Sequence, residues 1–259
     1  MYKSIKRSVN LANILGSVNI KRQKIVDEVV IHARNMISKT DSNKVLILAH
    51  ESYHEGVIGL AASRLVERFY KPAIVISKGK KISKASARSI PGFNIIAAIR
   101  KLNHLLQDGG GHPMAAGFSI FTSDIGKFKK EFISIAKKSI TEKMLTKKIK
   151  VDMSLNFSNF TLGLIDKIAE LEPFGIGNSY PTFFTEDVEI LELKTVGKEN
   201  KHLKLVLKKN DKVIDAIAFY FGDLYPKLFK DKKIKVVYSL EKNFWDGREK
   251  IQMKIRAIK

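Results

Sequence analysis

The chain of 259 residues contains no cysteine, which excludes disulfides and thiolate metal sites. It also lacks any apolar run near the roughly 18–20 residues of a membrane span. Its start, "MYKSIKRSVNLANILGSVNIK", has neither a continuous apolar core nor a small-residue cleavage site, so no signal peptide is expected and a cytoplasmic location is. Convincing metal ligands are missing too. The six histidines (His32, His50, His54, His104, His112, His202) form no Asp-His-His run, and the one pair four residues apart, His50 and His54, has no aspartate beside it to complete a ligand set. Phosphodiester hydrolysis commonly relies on metals held by such sets. Tandem repeats and low-complexity linkers are likewise absent.

Acidic residues are scarce. Lys and Arg number 47 against 26 Asp and Glu, a net charge of +21, for which a polyanion is the natural partner. A general lysine drift would raise the charge without any ligand, but the excess is local. Residues 148–259 hold 21 basic and 16 acidic side chains, whereas residues 1–147 hold 26 and 10. Arg68 to Gln107 contains no acid, yet carries Arg68, Lys71, Lys78, Lys80, Lys81, Lys84, Arg88, Arg100 and Lys101. A phosphate-binding face would require such a stretch.

Hydrophobic patterning sketches the architecture. Ile25, Val29, His32/Ala33 and Met36 recur at helical spacing in a segment reaching about Ser38. "KVLILA", "GVIGLAASRLVERFY" and "AIVIS" read as strand, amphipathic helix and strand, hence a βαβ unit with parallel pairing. "ASARSI" reads as a further strand, and 94–106 as a helix capped by Asn94. A glycine loop, the strand "GFSIF" and a closing helix capped by Asp124 complete a domain near Leu145. After a strand, "KIKVDMSL", and a helix, "LGLIDKIAELEPF", the rest becomes five or six short alternating strands, a pattern that predicts a small closed barrel. The expected division is a connector helix over 1–39, an α/β domain over 40–147 with a mixed sheet flanked by helices, and a barrel domain over 148–259.

Candidate site residues fall in the basic half. Gly109, Gly110 and Gly111 permit positive φ and let backbone N–H groups approach an anion; His112 beside them can donate to a phosphate oxygen or stabilise a leaving group. The alternative is a helix C-cap running into a turn, for which one glycine suffices. Strand alternation puts Ser86 and Arg88 on one face, where an arginine fork beside a hydroxyl suits a phosphate, although an exposed strand arginine is common. His54 follows a buried parallel strand, where α/β folds place ligands, and equally reads as a loop or capping histidine. Arg64, ten residues on, reaches a phosphate or is a solvated helix residue.

"YHEGVIGLAASRLVERFYKPAIVIS", "ASARSIPGFNIIAAI" and "GGGHPMAAGFSI", in that order, resemble the DHHA1 domain of the RecJ family, bacterial single-strand-specific DNA exonucleases. "LEPFGIGNSYPTFF", "VGKENKHLKLVL" and "DAIAFYFGD" resemble the OB-fold domain that follows it, and the helix before residue 40 resembles the connector leading out of the catalytic domain. The resemblance implies a 5′-to-3′ exonuclease on single-stranded DNA acting in recombination and repair. It implies Mn2+ or Mg2+ bound by a DHH domain, whose motifs have no counterpart here, so no metal ligand carries over to this chain. Gly109, Gly110, Gly111 and His112 match positions that close the cleft opposite the metals. Ser86, Arg88 and Arg64 match positions expected to grip the 5′ phosphate; Tyr53, before His54, stands where tryptophan is common. Single-stranded DNA is the implied partner, with a DHH-domain chain and a single-strand-binding protein as further ones. The barrel is expected to stack bases on Phe219, Tyr220 or Trp245, with a core position the favoured reading for Phe219. Alone, the chain is expected to bind DNA without cutting it. The alternatives are a non-catalytic single-strand-binding module and an oligoribonuclease-type DHHA1 protein.

Overall fold

The computed structural model describes residues 2–36, 43–245 and 247–259, which divide into two compact units, 1–148 and 149–259. The expected boundary between connector and α/β domain, at 39/40, lies outside the described residues.

The first unit opens with one long helix, α1 (Tyr2–Met36). Its Val26, Val29 and Ala33 pack with Leu46 and Leu48 of β1 (Leu46–His50) and Ala61 and Leu65 of α2 (Ile58–Phe69). Met36, expected on that face, is half exposed, because the helix has passed the end of its support. His32 does face inward, and its Nδ1 lies 2.9 Å from the hydroxyl of buried Tyr53. Helix α2 stops at Tyr70, which adopts the left-handed conformation two residues before Pro72. Strand β2 (Ala73–Ser77) then pairs with β1 in parallel, as the βαβ rhythm predicts.

From there the sheet is antiparallel. β3 (Ile82–Arg88) pairs with β2, and the final order is β1-β2-β3-β5-β4. Asn94 caps α3 (Ile95–Arg100) by accepting from Ala97 N–H at 3.1 Å. That helix is shorter than its sequence suggests, since residues 103–105 tighten into a 3-10 turn that leads straight into β4 (Leu106–His112). β5 (Ala115–Phe121) follows, then α4 (Ile125–Ser139). Asp124 precedes α4 but makes no capping bond; its backbone is already helical, which turns the carboxylate away from the first amides.

The two faces of this sheet are covered unequally. On one, Ile74, Ile76, Ala85, Ala87, Ala116, Phe118 and Ile120 meet Ile95, Ile99, Phe128 and Phe132 of α3 and α4. Truncating either buried phenylalanine to alanine would cost about 3–5 kcal/mol. On the other, α2 and α1 cover Leu46, Leu48, Ala73 and Val75, which belong to β1 and β2 only.

The second unit is a barrel. After β6 (Met153–Ser154) and α5 (Leu162–Ala169), capped by Thr161, come β7 (Phe183–Val196), β8 (His202–Lys209), β9 (Lys212–Ala218), β10 (Lys233–Trp245) and β11 (Arg248–Ile258). The order β7-β8-β9-β11-β10 closes because β10 also pairs with β7, and β9 runs parallel to β11. This is the five-stranded OB topology. The period-two pattern sends Val188, Ile190, Leu203, Leu205, Leu207, Ala216, Val236, Leu240 and Met253 inward. Register shifts in β7 and β10 supply the bends that closure needs.

Candidate phosphate-binding site

The three glycines are neither a loop nor a helix cap. Gly109, Gly110 and Gly111 lie inside β4, an edge strand with β5 as its neighbour on one side. The reason is the hairpin: His112 pairs with Ala115 across a two-residue turn, Pro113–Met114, and β5 offers a free edge on which the chain continues. That turn is fastened at both carbonyls. Pro113 accepts from Ile95 N–H at 3.0 Å, and Met114 accepts from Ser89 N–H at 2.9 Å. Residues 112 to 115 are thereby fixed against the start of α3 and the end of β3.

Pairing then sets out the site in rows, because residues directly opposed across antiparallel strands project to the same side. Arg88, Ala115 and His112 form one row over β3, β5 and β4; Ser86, Gly117 and Gly110 form the next. At normal strand spacing Arg88 and His112 stand about 10 Å apart. Between them the sheet surface is bare, with only Ala115, Gly117 and Gly110 as its floor. Helix α2 reaches as far as β3, where it half covers Ser86 and Arg88, and leaves β5 and β4 open, so that Gly109 to His112 are exposed.

Ser86 and Arg88 share one face and touch: Arg88 Nη1 donates to Ser86 Oγ at 3.1 Å and to Ala87 O at 2.8 Å. Room for the pair comes from Gly59 of α2, where an added Cβ would stand 3.1 Å from Arg88 Nη2 and 3.2 Å from Ser86 Oγ. Gly59 escaped the sequence reading, although a glycine near a helix start costs stability relative to alanine and so signals a close approach. Ser89, in contrast, points into the core and bonds to Phe93 O at 2.6 Å. The third row holds Lys84, which donates to Ser119 Oγ at 2.9 Å, and Asp108 on β4. Asp108 places a carboxylate at the far end, so the anion-compatible part is the first two rows.

His112 makes no side-chain hydrogen bond among the described residues, so both ring nitrogens face solvent. A phosphate resting on the glycine floor would meet a guanidinium and a hydroxyl from one side and an imidazole from the other. The remaining two candidates are not gathered in. His54 lies in the turn before α2, its Nδ1 accepting from Gly56 N–H at 3.0 Å, a contact within the loop; the helix's N-cap position is Val57, with no side-chain cap. Arg64 is exposed on α2 and makes no hydrogen bond or ion pair among the described residues; helix geometry turns it about 140° from Gly59.

On the barrel, β9 ends at Ala218, leaving Phe219 and Tyr220 beyond the strand. Phe219, read as core, is 42% exposed, and Tyr220 is 76% exposed. Period-two alternation past Ala218 turns Phe219 outward, a signal already present in "DAIAFYF". The side chain of Trp245 lies outside the described residues.

An α/β sheet with a bare, basic half-face, followed by an OB barrel, is a two-domain arrangement with direct parallels. The DHHA1 domain family matches residues 42–138, and the RecJ OB domain family matches residues 151–257. The single-stranded-DNA-specific exonuclease RecJ of Bacillus subtilis is 30% identical over 249 residues, covering 95% of this chain and 32% of that protein. RecJ of Escherichia coli is 27% identical over 263 residues, covering 96% and 44%. RecJ of Thermus thermophilus, solved with Mn2+, superposes with a TM-score of 0.78 at 24% identity over 95% of this chain and 35% of that one, and shares the fold. The chain belongs to the RecJ family, built of its DHHA1 and OB domains. It spans about a third to just under half of the length of these relatives.

Proposed function

We propose that this chain is the substrate-gripping portion of a RecJ-type 5′-to-3′ exonuclease on single-stranded DNA, acting in recombination and repair. The observation that carries the reading is the bare two-row face, Arg88–Ala115–His112 and Ser86–Gly117–Gly110. Arg88 and Ser86 bind the phosphate at the 5′ end. The glycines let the backbone approach it, and His112 donates to an oxygen from the opposite edge. The face is one wall of the active-site cleft.

Hydrolysis needs a water activated for attack on phosphorus, a task metal ions perform in such enzymes. Among the described residues no three His, Asp or Glu side chains converge where an ion could be held. The reading therefore assigns Mn2+ or Mg2+ to the DHH domain of the complete enzyme and routes no step through this chain's own side chains.

The test compares a 5′-phosphorylated with a 5′-hydroxyl oligonucleotide, with and without Mn2+. The chain should bind the phosphorylated strand more tightly, lose that preference in Arg88→Lys, and cut neither. Equal affinity for both ends would overturn the 5′-phosphate role, and cleavage by the pure chain would overturn the division of labour. A tighter grip on RNA than on DNA would favour the oligoribonuclease-type alternative.

A further inference from the structure

The open face of the first sheet does not stop at its third row. Beyond it β3 and β5 carry a fourth, in which Ile82 stands directly opposite Phe121 and projects to the same side as Lys84, Ser86 and Arg88. Both side chains are exposed, at 46% and 42%, and neither belongs to a core of the first unit. The face therefore runs from a guanidinium and an imidazole at one end to an isoleucine and an aromatic ring at the other, with Lys84, Ser119 and Asp108 between. Large apolar side chains scattered singly over a surface call for no explanation. Here two are opposed, one is aromatic, and they lie in line with the groups proposed to hold a phosphate.

The end of the sheet that carries them is fastened from behind. Thr122, next to Phe121, donates from Oγ1 to Gly79 O at 2.8 Å and from its backbone N–H to Lys81 O at 2.9 Å. Ser83, next to Ile82, points the other way and is fully buried. Its Oγ accepts from Gly79 N–H at 3.2 Å and lies 2.8 Å from Thr122 Oγ1, to which it donates because the threonine proton is already committed. Gly79 has no room for a side chain, since an added Cβ would collide with Ile82 O. The turn before β3 and the end of β5 are thus one hydrogen-bonded unit, which fixes the backbones of Ile82 and Phe121 against each other.

A half-exposed ring on a fixed backbone, continuous with a phosphate-binding face, suits the face of an unpaired base. We propose that Phe121, with Ile82 extending its apolar surface, stacks on one interior base of the strand whose 5′ phosphate Ser86 and Arg88 hold. The base is not that of the terminal nucleotide. Ile82 lies four residues along β3 from Ser86, about 14 Å away, beyond the reach of a single nucleotide. The strand accordingly runs along β3. Asp108, on β4 about 10 Å across the sheet from Lys84, keeps its phosphates off the β4 side by charge repulsion. A stacked base is taken by its ring face, so base identity is not read. This rests on the proposed 5′-phosphate role and adds the direction in which the strand leaves that phosphate.

The experiment uses the full chain and 5′-phosphorylated oligo-dT of about 6 nucleotides, within the span of one single-strand site. Each strand is labelled at its 3′ end and made abasic at one position at a time. Loss of one base between the second and fourth positions should weaken wild-type binding about tenfold, and loss further along by about twofold at most. Without the 5′ phosphate the effect should spread over several positions, because nothing then sets the register. Phe121→Thr, which keeps a β-branched residue in the strand, should bind intact and abasic strands alike. Phe121→Tyr should retain the wild-type difference, and Ile82→Thr should reduce it. Abasic positions without effect on the wild-type chain, an effect spread evenly along the phosphorylated strand, or a difference that survives in Phe121→Thr would overturn the platform and leave the phosphate site standing. Equal wild-type affinity for phosphorylated and hydroxyl ends would overturn the phosphate site, and the platform with it.

Discussion

Three adjacent glycines do three different jobs, and only one of them is dispensable to the fold. At Gly111, φ is +149° and an added Cβ would stand 2.3 Å from Ala115 O and 2.6 Å from Ala116 Cα. Gly111→Ala should destabilise the first unit by about 2 kcal/mol or more, visible as a lower urea midpoint. Gly109 is tight, with an added Cβ 3.0 Å from that of Phe118. Gly110 has nothing within 4 Å and ordinary backbone angles, so alanine there should leave stability unchanged or raise it by about 0.4–1 kcal/mol. Yet Gly110→Ala puts a methyl group onto the floor between Ser86 and His112. Weakened binding of a 5′-phosphorylated oligonucleotide by a protein of undiminished stability is the expected result. Undiminished binding would mean that the floor is not used. A run of glycines is visible in a sequence, but which one is open to a ligand depends on the neighbouring strand, and β5 is known only after pairing.

At the scale of elements, the barrel was legible because its strands alternate strictly: "HLKLVLKK" sends Leu203, Leu205 and Leu207 inward and Lys204 outward. The βαβ unit was legible for the same reason, through unbroken apolar strands around an amphipathic helix. Where contacts outside the element decide, the reading slipped. Residues 94–106 have helical spacing, but a 3-10 turn and the pull of β5 claim the last of them, and the triglycine after them looked like a turn because glycine is a poor strand former. Of the candidate site, the Ser86–Arg88 pair and the glycine–histidine group were proposed from residue types, whereas Gly59 and the rows joining them required the sheet order. Inside the barrel the hydroxyl of Tyr238 lies 2.8 Å from Thr185 Oγ1, which itself donates to Leu155 O at 2.7 Å. Burial pushes the Tyr238 phenol up to about 12, only partly opposed by that hydrogen bond. Because the folded value exceeds the ordinary value near 10, the stabilisation is complete below pH 10 and is lost as pH rises from 10 to 12. The loss amounts to about 2–3 kcal/mol. Tyr238→Phe should cost about 1 kcal/mol at pH 8 and fall less steeply than the wild type between pH 10 and 12, as followed by urea denaturation. Parallel curves would show that the phenol does not govern the barrel's alkaline stability.

For the whole molecule the question is what the net charge of +21 is for. The acid-free stretch does not lie on one face. Lys80 and Lys81 sit exposed on the β2–β3 turn, Lys84 and Arg88 on the half-bare sheet, and Arg100 and Lys101 at the end of α3. Lys71 is already spent on the backbone, donating to Asn43 O at 2.7 Å. Much of the excess therefore surrounds the bare face rather than filling it, an arrangement suited to drawing in a polyanion that a few groups then hold. Salt separates holding from mere attraction. Each phosphate neutralised on a single strand contributes about −0.7 to the slope of log affinity against log salt. Engagement of Arg88 together with three or four other basic groups predicts a slope of about −3. Reversing charge within the rows, as in Arg88→Glu, should make that slope shallower by about one or more. Reversing Lys80, outside them, should lower affinity at low salt while leaving the slope nearly unchanged. A slope near zero for the wild-type chain would mean that the lysine excess serves no strand at all.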